Sequence, residues 1–198
     1  MNKSKKFIID EKTLIETIKK YGKGIDSKDY EYAVSILMKR KLEASYHTQF
    51  SICFEIKPGV DGPARIVNPT AEDTIQILRE MLNEDTPVDF GLVKGTVDNH
   101  SEEAFAFQVK RFDGPSKETF NKDLLEYLHK VLNKFRPGET NLVVIPRLQE
   151  NPSNQGQSVN LDVKFLKNNL AVPKQSFLSI FILFYDNRSR VIQLWPPV

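Results

Sequence analysis

Very little in this chain could build a disulfide framework, a thiolate cluster or a membrane span. Cys53 is the only cysteine among 198 residues. One cysteine closes no internal disulfide and assembles no thiolate metal cluster within a single chain. The three histidines, His47, His100 and His129, lie far apart and lack the close spacing of zinc ligands. The longest apolar stretch, 177–185, is interrupted by Ser179. It falls far short of the ~20 residues that cross a bilayer as a helix. Near the start, Phe7-Ile8-Ile9 is closed off by Asp10-Glu11, too short a run for a signal peptide. These absences lead us to expect a cytoplasmic protein with no membrane attachment. Neither sign of charge dominates: 28 Lys and Arg against 26 Asp and Glu give a net charge of +2. A nucleic-acid partner is therefore neither required nor excluded, and the distribution of charge has to decide.

The length suffices for one domain with a full core, or for one domain plus an extension. Leu14, Ile15 and Ile18 recur at helical spacing over 11–21, and Gly22-Lys23-Gly24 should stop that helix. A second helix is expected over 28–44, capped by Asp26 or Ser27. The stretch 49–56 suits either strand or helix. A third helix is expected over 70–83, with Thr70 at the cap and Asp73 three residues later. Strands are expected over 88–93 and 104–112, joined by a polar loop around Asp98-Asn99-His100. The clearest amphipathic helix is 117–135, with Phe120, Leu124, Leu128, Val131 and Phe135 on one side. A buried strand over 141–145 follows, then an exposed polar loop over 151–158. Three more strands are expected over 159–166, 177–185 and 191–195. The last two are joined by the turn signal Asp186-Asn187-Arg188-Ser189. The simplest role for 177–185 is a central buried strand, with a homodimer seam as the alternative. Interleaved strands and helices predict an α/β fold in which a mixed central sheet is flanked by helices.

Alternation along two neighbouring strands collects the chemistry. In 104–112, Phe105, Phe107 and Val109 point to one side, while Ala104, Ala106, Gln108 and Lys110 point to the other. In 88–93, Val88, Phe90 and Leu92 oppose Asp89 and Gly91. If these strands pair, Asp89, Gln108 and Lys110 converge on one open surface. Such a set suits phosphodiester hydrolysis. Mg²⁺ (or Mn²⁺) takes oxygen ligands, here Asp89, the amide oxygen of Gln108 and the backbone carbonyl of Val109. Lys110 could orient water or offset charge in the transition state. One carboxylate is a small share of negative charge for a catalytic magnesium site, so a further acid is expected from the 70–83 helix. Glu72 is the choice, with Asp73 and Glu80 as alternatives.

Pro87-x-Asp89, then Gln108-x-Lys110 on the next strand, a long amphipathic helix and another strand resemble the restriction-endonuclease-like PD-(D/E)xK nuclease superfamily. Glutamine in place of the motif acid is similar to its Mrr-type branch, and an acid on the helix before the aspartate is similar to archaeal Holliday-junction resolvases. The likeness spans about 70–145. It implies catalytic roles for Asp89, Gln108, Lys110 and Glu72, metal ligation by Asp89, Gln108 and Val109, and DNA as substrate and nucleic-acid partner. Beyond that span, we expect an endonuclease-like core over 67–198 with a helical N-terminal extension over 1–66. The alternative is a protein that keeps the nuclease fold without cleavage and binds nucleic acid or a protein.

Other readings stand beside these. Asp89 could simply satisfy backbone amides at a strand start. Gln108 and Lys110 could form the solvated face of an edge strand. Glu72 could be placed by the helix dipole alone. Lys94, Arg111, Lys117, Lys122, Lys130, Lys134, Arg136 and Arg147 could grip phosphates or belong to a mixed solvated surface. The acid-x-Lys pattern also recurs at Asp10, Asp26, Glu55 and Asp162, and only Asp162-Val163-Lys164 lies on another alternating stretch.

Overall fold

In the computed structural model, which describes residues 10–20, 27–54, 88–96, 99–134, 140–149, 159–173, 177–185 and 188–196, the first helix, α1 (Glu11–Lys19), starts where its cap requires. Asp10 is extended, and its carboxylate accepts hydrogen bonds from the Thr13 backbone N–H at 2.9 Å and from the Thr13 hydroxyl at 2.8 Å. Those bonds satisfy groups that the first helical turn would leave orphaned. Helix α2 (Ser27–Tyr46) buries Tyr30, Ala33, Val34, Leu37, Met38 and Leu42, a stripe recurring every three to four residues. It ends at His47, whose φ of 50° turns the chain toward β1 (Phe50–Phe54). The Glu43 carboxylate secures that turn by accepting from the Phe50 N–H at 2.9 Å.

The remaining elements are β2 (Phe90–Thr96), β3 (Asn99–Gly114), α3 (Phe120–Lys134), β4 (Thr140–Leu148), α4 (Val163–Asn169), β5 (Ile180–Tyr185) and β6 (Ser189–Trp195). Among the described residues the strands form one six-stranded sheet whose spatial order repeats the chain order from β1 to β6. The β3–β4 and β4–β5 pairs are parallel and the other three antiparallel. This is the expected α/β fold with a mixed sheet between helical layers. Helix α3 supplies the crossover that two parallel neighbours require.

Because side chains alternate across a strand, the sheet divides the buried residues into two layers. Phe90, Leu92, Phe107, Val109, Val143, Ile145, Phe181 and Leu183 pack with α1 and α2. On the other face Phe112, Leu142, Val144, Ile180, Ile182 and Phe184 pack with α3 and α4. Helices α1 and α2 form one of the two helical layers, and β1 is an edge strand of the same sheet.

Two expectations of local structure change. The polar stretch around Asn99-His100 is not a long loop: Thr96 pairs directly with Asn99, and β3 already begins there. Gly95, with φ of 115°, takes up a register shift just before that turn. The stretch 159–166 is not a strand. Asp162 caps α4 by accepting from the Phe165 N–H at 2.8 Å, and Leu166 enters the core. A side chain that bonds to the backbone three residues ahead favours a helix start over a strand. Asn121 of α3 fixes the entry by donating to Asn160 O at 3.0 Å and accepting from Asp162 N–H at 2.9 Å. His129 accepts from the Ala171 N–H beyond the helix, at 3.2 Å. The helix expected over 70–83 and the loop expected over 151–158 lie outside the described residues.

Gly114 closes β3 under the first residue of α3. A Cβ at this position would lie 2.4 Å from Phe120 Cδ2, 2.6 Å from Phe120 Cε2 and 3.1 Å from Phe112 Cε1. Both rings are buried, so neither can swing clear. Gly114→Ala is therefore expected to destabilise the fold by about 1–3 kcal/mol. Urea denaturation will read this as a lower midpoint with an unchanged slope, and an unchanged midpoint would count against the close approach.

Candidate functional site

The apolar sides of β2 and β3 are claimed by the α1–α2 layer, so the remaining residues of both strands share the opposite face. Phe90 pairs with Phe107 and Gly91 with Ala106. One step along, the Asp89 N–H donates to Phe107 O at 2.9 Å. The Asp89 carboxylate then turns along the strand edge, and its Oδ2 accepts from the Val109 backbone N–H at 2.6 Å. Asp89, Gln108 and Lys110 are therefore brought to one face of adjacent strands. Val109 contributes through its backbone, a role that no residue type announces in a sequence.

The electrostatics of Asp89 follow from this placement. Burial pushes its carboxyl above the ordinary aspartate range; the Val109 N–H and the Lys110 ammonium pull it down, but by less. Lys110 is thus close enough to act on the carboxylate. Beyond it on the same face, Phe112 packs against Phe120 and Tyr127 of α3, with ring centroids 5.4 and 5.3 Å away. This pins the strand end behind the site.

Gln108 is where the expectation of an open surface fails. It is 2% exposed, and β3 is an interior strand with β2 on one side and β4 on the other. Its register partner Leu142, like Val144 opposite Lys110, belongs to the layer under α3. Neither Gln108 nor Lys110 occupies a solvated edge. The buried Oε1 of Gln108 accepts no hydrogen bond among the described residues. A buried acceptor left unsatisfied costs about 1–3 kcal/mol, so the atom calls for an explanation.

Asp89, Gln108 and the Val109 backbone carbonyl would offer a cation oxygen only. That set suits Mg²⁺ or Mn²⁺ rather than a soft metal. The described residues include no group of three His, Cys, Asp or Glu side chains able to hold a metal. Glu72, with its alternatives Asp73 and Glu80, lies outside the described residues, as does Pro87.

Two of the basic residues flanking the motif have other duties. Arg111 Nε lies 2.9 Å from Asp113 Oδ2, Arg147 Nε pairs with Asp113 Oδ1, and Arg147 Nη1 donates to Lys19 O at 3.2 Å. They join β3, β4 and the end of α1. Lys117 is exposed just before α3, and Lys122, Lys130 and Lys134 are exposed on it. The rival tripeptide Asp162-Val163-Lys164 spans a helix start with its acid spent on the cap, as Asp10 is spent on α1. Comparison with protein-family models, curated proteins and solved structures returns no match to this chain.

Proposed function

We propose that the chain is a metal-dependent nuclease that hydrolyses DNA phosphodiester bonds, built on a restriction-endonuclease-like core. The observation that carries this reading is the meeting of Asp89 with the Gln108–Val109–Lys110 segment on adjacent strands, where a buried amide oxygen has no described partner. The long helix α3 and the strand β4 that follow β3 support this reading. Asp89 Oδ1, Gln108 Oε1 and the Val109 carbonyl would hold Mg²⁺ or Mn²⁺, joined by Glu72 if the 70–83 segment brings it near. When bound, such a cation acidifies water and offsets negative charge on the phosphate. Lys110 opposes the charge that builds on the phosphate oxygens as water adds to phosphorus and the bond to one sugar oxygen breaks. The Val109 N–H holds the Asp89 carboxylate in one orientation, so no reorganisation of that group is needed at the moment of reaction.

A second reading keeps the fold and drops the chemistry, leaving a protein that binds nucleic acid or a protein partner. It is favoured by the burial of Gln108, since a substrate phosphate has to approach the atoms that cleave it. Plasmid nicking with Mg²⁺ or Mn²⁺ separates the two. Wild type is expected to nick, and Asp89→Ala and Lys110→Ala to lose nearly all of that activity. Equal cutting by all three would remove the assignment.

A further inference from the structure

Helix α3 holds the 159–173 segment at two points. At one, Asn121 donates to Asn160 O and accepts from the Asp162 N–H, and a side-chain amide does not titrate. At the other, about two turns further along α3, His129 accepts from the Ala171 N–H through Nε2 at 3.2 Å. Between the two points Leu166 is buried, and Leu170 and Val172 pack against the same apolar layer. We infer that His129 is a proton-operated latch. Neutral, it fastens the chain at Ala171 to α3; protonated, it lets that stretch go while the Asn121 end stays closed.

The ring nitrogens decide this. A neutral imidazole has one nitrogen that donates and one that accepts. Accepting through Nε2 therefore places the ring proton on Nδ1. A second proton can enter only at Nε2, where it turns the acceptor into a donor facing the Ala171 N–H. Two donors share no hydrogen bond, so the contact is lost. Histidine is the side chain whose charge ordinarily changes between about pH 5 and 8. On α3 the charged groups within one turn are Glu126, which favours the cation, and Lys130, which opposes it. On the 159–173 segment they are Lys164 and Lys167, which oppose it, and Asp162, whose carboxylate caps α4. Ala171 is exposed, so water takes over its N–H and the opening stays local. Neither His129 nor Ala171 belongs to the Asp89 site, so the latch does not depend on the nuclease reading.

The test is amide hydrogen exchange of the full chain, followed by NMR from pH 8 to pH 5 and corrected for the intrinsic pH dependence of exchange. In wild type the protection of the Ala171 amide is expected to fall about two- to tenfold over that range, while that of the Asp162 amide holds. In two variants the pH dependence at Ala171 is expected to vanish. His129→Gln carries an amide oxygen that accepts at every pH and keeps the higher protection; His129→Ala has no acceptor and shows the lower value throughout. Protection in wild type that does not change with pH, or a fall that persists in either variant, would overturn the latch.

Discussion

Asp89→Asn is expected to slow DNA nicking by at least about a hundredfold and, at neutral pH, to raise the temperature of unfolding. Asparagine keeps the shape of the side chain and an oxygen for the Val109 N–H, but it removes the charge. The activity loss follows because a neutral amide cannot replace the charge of the Asp89 carboxylate as a cation ligand. The stability gain follows from burial. The native state holds the Asp89 proton more tightly than the unfolded chain does, since desolvation lifts its carboxyl above the ordinary value. Below the ordinary aspartate range, near pH ~3.9, both states are protonated and the residue has no effect. As pH rises from there through the raised value, the native state loses stability, and the full penalty persists above it. The advantage of asparagine should therefore be larger at pH 7 than near pH ~3.5, where it vanishes. Calorimetric scans of both proteins at the two pH values measure it; a lower unfolding temperature for the variant at pH 7 would contradict it. Opposite signs for activity and stability are what a residue retained for chemistry produces.

Phe107→Ala is expected to cost about 3–5 kcal/mol, lowering the unfolding temperature by roughly 10 °C for a chain of this size. Phe107 is 1% exposed and lies nearly parallel to Phe90, with centroids 4.9 Å apart and an interplanar angle of 10°; the Phe181 ring is 6.2 Å away. Truncation leaves a ring-sized gap between the sheet and the α1–α2 layer, and close-packed neighbours collapse into such gaps only in part. The consequence reaches the other face of the sheet. Phe90 and Phe107 are register partners, and Asp89 and Gln108 are their immediate neighbours in the chain. Weakening the stack loosens the registration that presents the carboxylate to the Val109 N–H. Guanidinium denaturation supplies the free energy, and a loss below about 1 kcal/mol would show that the ring is not packed as described.

The sidedness of β2 and β3 was legible because a period of two is a local property. Each residue's face follows from its neighbours alone, so the grouping of Asp89, Gln108 and Lys110 could be read before any fold was known. Helix α3 was legible for the same reason, from five apolar residues at helical spacing. What lay beyond reach depended on distant contacts. Whether Gln108 is wet or buried is decided by β4 and by the layer containing α3, and a polar residue on an alternating strand carries no mark of either. The role of the N-terminal helices was hidden in the same way: β1 finds its partner, β2, about forty residues later, so the first two helices look detachable until that pairing is known. In 159–166, alternating apolar residues imitated a strand, and the aspartate cap prevailed because it satisfies backbone groups that the alternation leaves open.

The coincidence of strand order in space with strand order in sequence bears on how the protein is made. No strand has to be threaded between two that are already joined, so the sheet can lengthen at its growing edge as the chain leaves the ribosome. The β2–β3 hairpin, closed by a two-residue connection, is the natural seed because its loop entropy is smallest. The hairpin also carries Asp89, Gln108 and Lys110, which places the candidate site within the earliest part of the sheet to assemble.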